Sequence, residues 1–373
     1  MELINATRMT AGYSVAVEPS GRELLVVVIK GTFALPRPGE PVRLHDEQLP
    51  LVMADCFTGE PGASAPLSEV DFAPRKQACD VLLMGSAHAP QGRLVTRQRV
   101  ELRVGTMHKS FDVVGNRVWQ AGVTGITASE PEHFARMPVS YDLAFGGLDQ
   151  HGDDAREHDA YVDNPVGRGW HRQLKNAWVD GTPLPNTEEA GQPVKFPSDR
   201  YRPMALGPLG RGWPSRARYA GTYDERWMAE AFPFLPADFD ERYYQAAPID
   251  QQLPLPREPL PVVLNGFTPD GPREFTLPHF EAPVHVFPRR GAREEHKATL
   301  DTIAFEPDSE RFTMSWRLCR PLAKSIHEIG QVMVGKKGRE WWQQRDTSFP
   351  IPVVMIPVGK PSAQKAPDGA QPA

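Results

Sequence analysis

Proline sets the first limit on what this chain can become: 39 of its 373 residues are proline. That is about twice the usual share of roughly 5%. Proline has no backbone N–H and a fixed φ, so it ends helices and is kept out of central strands. A chain punctuated this often folds into short elements joined by many turns and long ordered loops. Proline and glycine together number 70, below the roughly 25–30% typical of disordered chains. Eight tryptophans and 17 phenylalanines point to a folded core. The length suits two to three domains or one large elaborated one.

Between the prolines, the runs read as strands. Tyr13–Val17 alternates, Glu18–Glu23 has turn composition, and Leu24–Ile29 is a continuous run of the kind a strand covered on both faces shows. Lys30-Gly-Thr-Phe33 closes this opening hairpin. Residues 36–70 read mainly as loop, with a short strand near Leu51-Val52. Asp80–Met84 is a buried strand. Val100, Leu102 and Val104 alternate with Glu101 and Arg103, and a Gly105-Thr106 turn leads to Phe111–Val114 and on to Val118-Trp119.

From about residue 125 regular runs thin out, and 129–215 reads as packed loops pinned by Trp170, Trp178 and Trp213. Asp224–Phe232 is the best short helix, capped by Thr222 or Asp224 and stopped by Pro233. Leu300–Phe305 and Arg311–Arg317 form the cleanest hairpin: Phe312, Met314 and Trp316 share one face, Thr313, Ser315 and Arg317 the other. Lys324–Val334 reads as helix, Val353–Ile356 as a last strand, and the tail from Lys360 as disordered. The fold expected is mainly β, with sandwich-like or barrel-like antiparallel sheets, long ordered loops and a few short helices. The divisions are an N-terminal β domain over 1–125, a loop-rich region over 126–359 that returns to β structure and packs with the first, and a tail over 360–373.

Several function classes fall away. The net charge is −5 with no long basic run, unlike most nucleic-acid binders. Cys56, Cys79 and Cys319 are too few and too scattered for a disulfide framework or a zinc knuckle, and read as small buried thiols. No stretch approaches the roughly 20 apolar residues of a membrane span. The first residues, Met1-Glu-Leu-Ile-Asn-Ala-Thr-Arg8, lack a signal-peptide pattern. The expected compartment is therefore the cytoplasm.

Catalytic motifs also fail. Gly330–Lys336 resembles a phosphate loop, but Lys337 stands where Ser or Thr should hold Mg²⁺, and the residues before it read as helix. Gly207–Gly212 has the wrong spacing for a dinucleotide fingerprint. The acidic run from Asp149 through Asp154 to Asp163 has Asp154 where a calcium loop needs glycine and Ala160 where it needs a bidentate glutamate. No metal or cofactor is expected. Ser64 and Ser86 lie outside a nucleophile elbow, and His88 beside Ser86 does not make a triad. Should the chain be a hydrolase instead, Asp80, Asp142, Asp224 and Asp238 are the acids to consider. A carbohydrate-binding β module is a further alternative.

The densest unassigned chemistry is aromatic. Residues 211–251 interleave Trp213, Tyr219, Tyr223, Trp227, Phe232, Phe234, Phe239, Tyr243 and Tyr244 with Arg211, Arg216, Arg218, Arg226 and Arg242. Tyr, Trp and Arg dominate interface hot spots. Trp213, Arg216, Tyr223, Trp227, Phe239, Tyr243 and Tyr244 are the candidate partner-binding residues.

Ordered strings then carry a resemblance. They are Lys30-Gly-Thr-Phe33, Ser68–Phe72 with Lys76, Cys79–Pro90, Gly115-Asn-Arg-Val-Trp119, Tyr141–Gly147, Asn164–Gly169, Leu184-Pro-Asn186, Trp213–Arg216, Ala220–Asp224 with Trp227, and Pro233–Asp240 running to Ala247-Pro248. Spread over residues 5 to 320, they resemble a bacterial family long catalogued as of unknown function, whose members are typically encoded beside type VI secretion spike and effector proteins. The resemblance implies an adaptor or chaperone, not an enzyme. Its expected partners are a cognate secreted effector, through an N-terminal region or PAAR-type domain, and the VgrG spike, with no nucleic acid and no membrane. It carries over no catalytic residue.

Overall fold

Strand-forming runs find partners across almost the whole chain in a computed structural model that describes residues 1–348 apart from 124, 153, 155 and 157. Residues Met1–Gly335 form one compact unit and Lys336–Ala373 a second. Of the second, the helix Arg339–Ser348 is described. The strand expected at 353–356 and the tail expected from 360 lie outside the described residues. The fold is mainly β, in several largely antiparallel sheets, none of which closes into a barrel.

The opening hairpin forms as expected. Thr10–Val17 pairs antiparallel with Glu23–Ala34, and Gly21, at φ 82°, turns the loop between them. The second strand does not stop at Lys30. It continues to Ala34 because Arg311–Pro321 pairs along its other side from Leu24 to Ala34. The hairpin Thr299–Glu306 with Arg311–Pro321 also forms, and Thr299–Glu306 then pairs in parallel with Cys79–Leu83. With Gln252–Leu253 and Arg43–Leu44 these strands make a seven-stranded sheet. Arg97–Val104 and Met107–Val114 form the third expected hairpin, within a five-stranded sheet that also holds Thr187–Glu189, Pro261–Asn265 and Arg273–Thr276.

Three local expectations change. Ile329–Gly335, read as helix, is a strand between Glu2–Ala6 in parallel and Pro283–Pro288 antiparallel. Val332, Met333 and Val334 are consecutive and all buried, as a strand covered on both faces requires. The Leu51-Val52 strand is absent, because both the N–H and the C=O of Val52 bind Asp71, at 2.7 and 2.9 Å. Of the three free thiols, Cys79 is buried, Cys319 is half-buried and Cys56 is exposed. In the loop-rich stretch, Trp119, Phe145 and Tyr161 form a small core of their own with Trp170 against it. Trp178 instead stacks on His151 at 5.4 Å beneath the Lys175 ammonium.

One apolar core joins the three large sheets. Val27, Ile29, Phe305 and Phe312 meet Leu102 and Phe111 of the second sheet and Val284 and Val334 of the third. The other face of the seven-stranded sheet buries polar groups beside Val26 and Val28: Lys30, Thr32, Asp301, Thr313, Ser315 and Arg317 are all less than a tenth exposed. Residues 68–78 lie over this face, a strap tied down by ion pairs. Lys30 meets Asp71 at 2.9 Å, and Lys76 meets Asp80 at 2.7 Å and the Thr302 hydroxyl at 2.9 Å. Arg317 pairs with Asp301 at 2.6 Å and also donates to the carbonyls of Asp71 and Ala73. Burial works against the Arg317 charge, and Asp301, with Asp71 and Asp80, more than offsets it, holding the guanidinium above its ordinary value.

Removing one partner of a buried pair leaves an uncompensated charge at a cost of about 3–5 kcal/mol. Asp301→Ala should therefore lower the urea-unfolding free energy by about that much. Arg317→Met combined with Asp301→Ala should recover part of the loss, and an additive double variant would contradict the pairing. At the sheet rim, hydrogen bonds from Arg320, then His296, hold Glu294 down at about 2. A depressed carboxylate stabilises the fold above its unfolded value of about 4.5 and loses that contribution as pH falls toward 2. Glu294 is about a third exposed, so the contribution is about 1 kcal/mol or less. Glu294→Gln should flatten the stability profile between those pH values, measured by denaturant titration at each pH.

Candidate partner-binding surface

The strap holds the aromatic segment on its outer side. Gln77 and Ala78 donate their N–H groups to the Gln245 side chain, at 2.9 and 3.2 Å, while Gln245 and the Ala246 N–H both donate to Asp80 at 2.8 Å. Arg75 reaches Glu241 at 2.8 Å and Arg211 reaches Asp55 at 2.6 Å. Arg216, 2% exposed, pairs bidentately with Glu69 and donates to the carbonyls of Leu209 and Tyr243. Its guanidinium also lies 5.6 Å from the Tyr243 ring centre.

These contacts sort the seven candidate residues. Trp213 and Arg216 are internal and present nothing to a partner. Trp213, 6% exposed, packs edge-on against Tyr141 at 5.2 Å. Gly210 makes room for it: a Cβ there would stand 2.4 Å from the indole nitrogen. Phe239, Tyr243 and Tyr244 form a half-buried ring cluster, 5.3 to 6.2 Å between centres. Burial pushes the Tyr244 phenol up to about 12. Tyr223 is exposed and Trp227 half-buried.

The outermost part is built on the short helix Glu225–Glu230. Asp224 caps it by accepting the Trp227 N–H at 2.8 Å. Trp227 packs edge-on against Tyr223 at 4.8 Å and Phe232 at 5.6 Å, and its indole N–H reaches the Phe234 carbonyl at 2.9 Å. Around it Tyr223, Met228, Phe232 and Phe234 are 45 to 60% exposed. Phe234 also lies against Gly21 of the opening hairpin. Arg226 and Glu230 pair at the margin. The result is an exposed apolar patch with a charged edge, the composition of an interaction surface. Met228 escaped the sequence reading; its solvent-facing place on an aromatic helix is the signal that could have found it.

The acids singled out for hydrolysis hold structure. Asp80 anchors the strap, Asp224 caps the helix, and Asp238 accepts the N–H and hydroxyl of Thr222, which hold its carboxyl below the usual range. Asp142 accepts the Ala65 N–H and the Thr58 hydroxyl, each at 2.8 Å. Ser86 and His88 do come together, but on a shared carboxylate: Asp308 lies 2.8 Å from the hydroxyl and 3.1 Å from the imidazole, with Arg136 at 2.7 Å. Sequence reasoning missed Asp308 because it sits 220 residues away from His88. Gly330–Gly335 lies in a strand rather than a phosphate-cradling loop. Asp149 is buried and accepts the N–H groups of Arg172 and Gln173 at 2.9 and 2.8 Å. Among the described residues, no group of three or more His, Cys, Asp or Glu is placed to hold a metal ion, and no helix is long and apolar enough to cross a membrane.

No curated protein and no solved structure matches this chain. Residues 20–317 match a bacterial family, so the chain belongs to the family described as "Uncharacterized protein conserved in bacteria (DUF2169)".

Proposed function

We propose that this protein is a type VI secretion adaptor: it binds a cognate effector, by the effector's N-terminal region or a PAAR-type domain, and helps load it onto the VgrG spike. The observation that carries this reading is the exposed aromatic patch around Trp227. Its rings are fixed by one another and by the Asp224 cap, and its segment is pinned to the strap by Arg75, Arg216 and Gln245. A pre-ordered patch loses little side-chain entropy on binding, so more of the contact energy appears as affinity. Effector segments that are apolar before export would find shielding there. The structural roles of Asp80, Asp142, Asp224 and Asp238 also favour binding over hydrolysis. On this reading the adaptor works in the cytoplasm, needs no cofactor and performs no reaction.

The test is recovery of the effector encoded beside this chain, using tagged full-length protein from its own host. Stoichiometric recovery, with loss or retention of that effector when the adaptor gene is deleted, is the expected result. Trp227→Ala and Met228→Asp should each weaken binding at least tenfold, about 1.4 kcal/mol, in titration calorimetry. Their thermal midpoints should stay within a few degrees of the parent. Normal effector secretion in the deletion strain, with nothing recovered, would overturn the proposal.

A further inference from the structure

The Thr10–Val17 strand lies at one end of the order in the seven-stranded sheet. Its neighbour Glu23–Ala34 takes only one side of it. Which backbone groups face outward follows from the turn. The Glu18 N–H donates to the Arg22 carbonyl at 2.9 Å, so residues 18 and 22 form a hydrogen-bonded pair. In an antiparallel ladder such pairs alternate with non-bonded ones. Thr10, Gly12, Ser14 and Ala16 therefore exchange bonds with the neighbour. Ala11, Tyr13, Val15 and Val17 turn their N–H and C=O groups outward. The far side of Glu23–Ala34 obeys the same parity, for the Leu322 N–H reaches the Glu23 carbonyl at 2.9 Å. Beyond Thr10, where this strand no longer covers its neighbour, a side chain closes the neighbour's exposed side. The Gln48 amide accepts the Thr32 N–H and donates to the Thr32 carbonyl, both at 2.9 Å. No such closure meets the outward groups of Tyr13, Val15 and Val17 among the described residues.

This edge is also undefended. Exposed edge strands are normally blunted by charge, proline, a bulge or shortness. Three other edges follow that rule: Thr187–Glu189 is short and acidic, Glu294–Lys297 is short and charged, and Gln252–Leu253 is two residues long. Thr10–Val17 reads Thr-Ala-Gly-Tyr-Ser-Val-Ala-Val, with no charge, no proline and no register shift. Tyr13, Val15 and Val17 are 37 to 40% exposed.

We infer that the outer edge of Thr10–Val17 is a strand-addition site that takes an extended segment of the protein partner, with apolar side chains at alternate positions. The identity of that partner rests on the adaptor reading above; the edge itself does not. Backbone bonds supply affinity in this mode and alternate side chains supply selectivity. The edge leads to the turn at Gly21, where Phe234 of the aromatic patch lies against it. One partner can thus follow the edge and cover the patch. A second copy cannot do so as well. Antiparallel self-pairing puts the two turns, and with them the two patches, at opposite ends of a strand about 27 Å long. Two eight-residue strands alone fall short of the ~1,200 Å² that a stable interface buries.

The test uses the full chain and a phage-displayed library of random twelve-residue peptides, so it does not depend on knowing the effector. Selected peptides should alternate apolar residues. Bound peptide should slow amide exchange at Tyr13, Val15 and Val17 while leaving Ser14 and Ala16 unchanged. Val15→Pro removes one outward N–H and should reduce binding at least tenfold. Val15→Lys keeps that N–H, guards against a folding defect in the proline variant, and should do the same. The inference is overturned if peptides bind Val15→Pro and Val15→Lys like the parent, if none is selected, or if the parent dimerises through this edge and no peptide competes. Effector recovery that depends on Trp227 but not on Val15 would remove strand addition alone. Peptide selection without effector recovery would remove the adaptor reading alone.

Discussion

Buried charge on one face of the seven-stranded sheet governs how the rest of the molecule is arranged. A sheet face carrying Lys30, Asp301 and Arg317 cannot pack against apolar side chains without stranding those charges. It must be covered by a segment that brings counter-charges and carbonyls. The 68–78 strap does so with Asp71, with Lys76 against Asp80 of the sheet, and with the carbonyls of Asp71 and Ala73. Such pairs add little net stability over an apolar alternative, but they tolerate only one partner arrangement. They tie this loop to the sheet at Lys30, Arg317 and Asp80.

That loop has a second side, and the exposed aromatic patch depends on it. Glu69, Arg75 and the backbone of Gln77 and Ala78 reach outward to Arg216, Glu241 and Gln245. Arg216 and Trp213 end up inside as a consequence, and the rings that follow them are carried outward in steps. Tyr243 and Tyr244 are half-buried, while Tyr223, Met228 and Phe232 stand in solvent. Rigid support beneath an exposed apolar patch is what recognition asks of a surface, since less side-chain freedom is then lost on binding.

Much of the β scaffold was legible from local pattern. The hairpins at Tyr13–Ile29, Val100–Val114 and Leu300–Arg317 are made of neighbours in sequence, so alternation and turn residues suffice to find them. Ile329–Gly335 was misread because its partners, Glu2–Ala6 and Pro283–Pro288, are distant and absent from any local window. The same limit applies to the candidate surface. Aromatic density marked out residues 211–251, but whether Arg216 faces in or out is decided by Glu69, 147 residues away. The strings Lys30–Phe33, Ser68–Phe72 with Lys76, and Cys79–Asp80 carried the family resemblance without showing a reason. In the fold they are the two sides of one ionic contact.

The most direct test of the account is a photo-crosslink from the patch. A benzoylphenylalanine placed at Met228 of the full chain, activated in the native host, should trap one secreted protein. The same group at Val123, fully exposed and outside the patch, should trap none. Equal trapping from both positions, or no trapping from Met228 while secretion proceeds normally, would contradict the claim that this surface receives the partner.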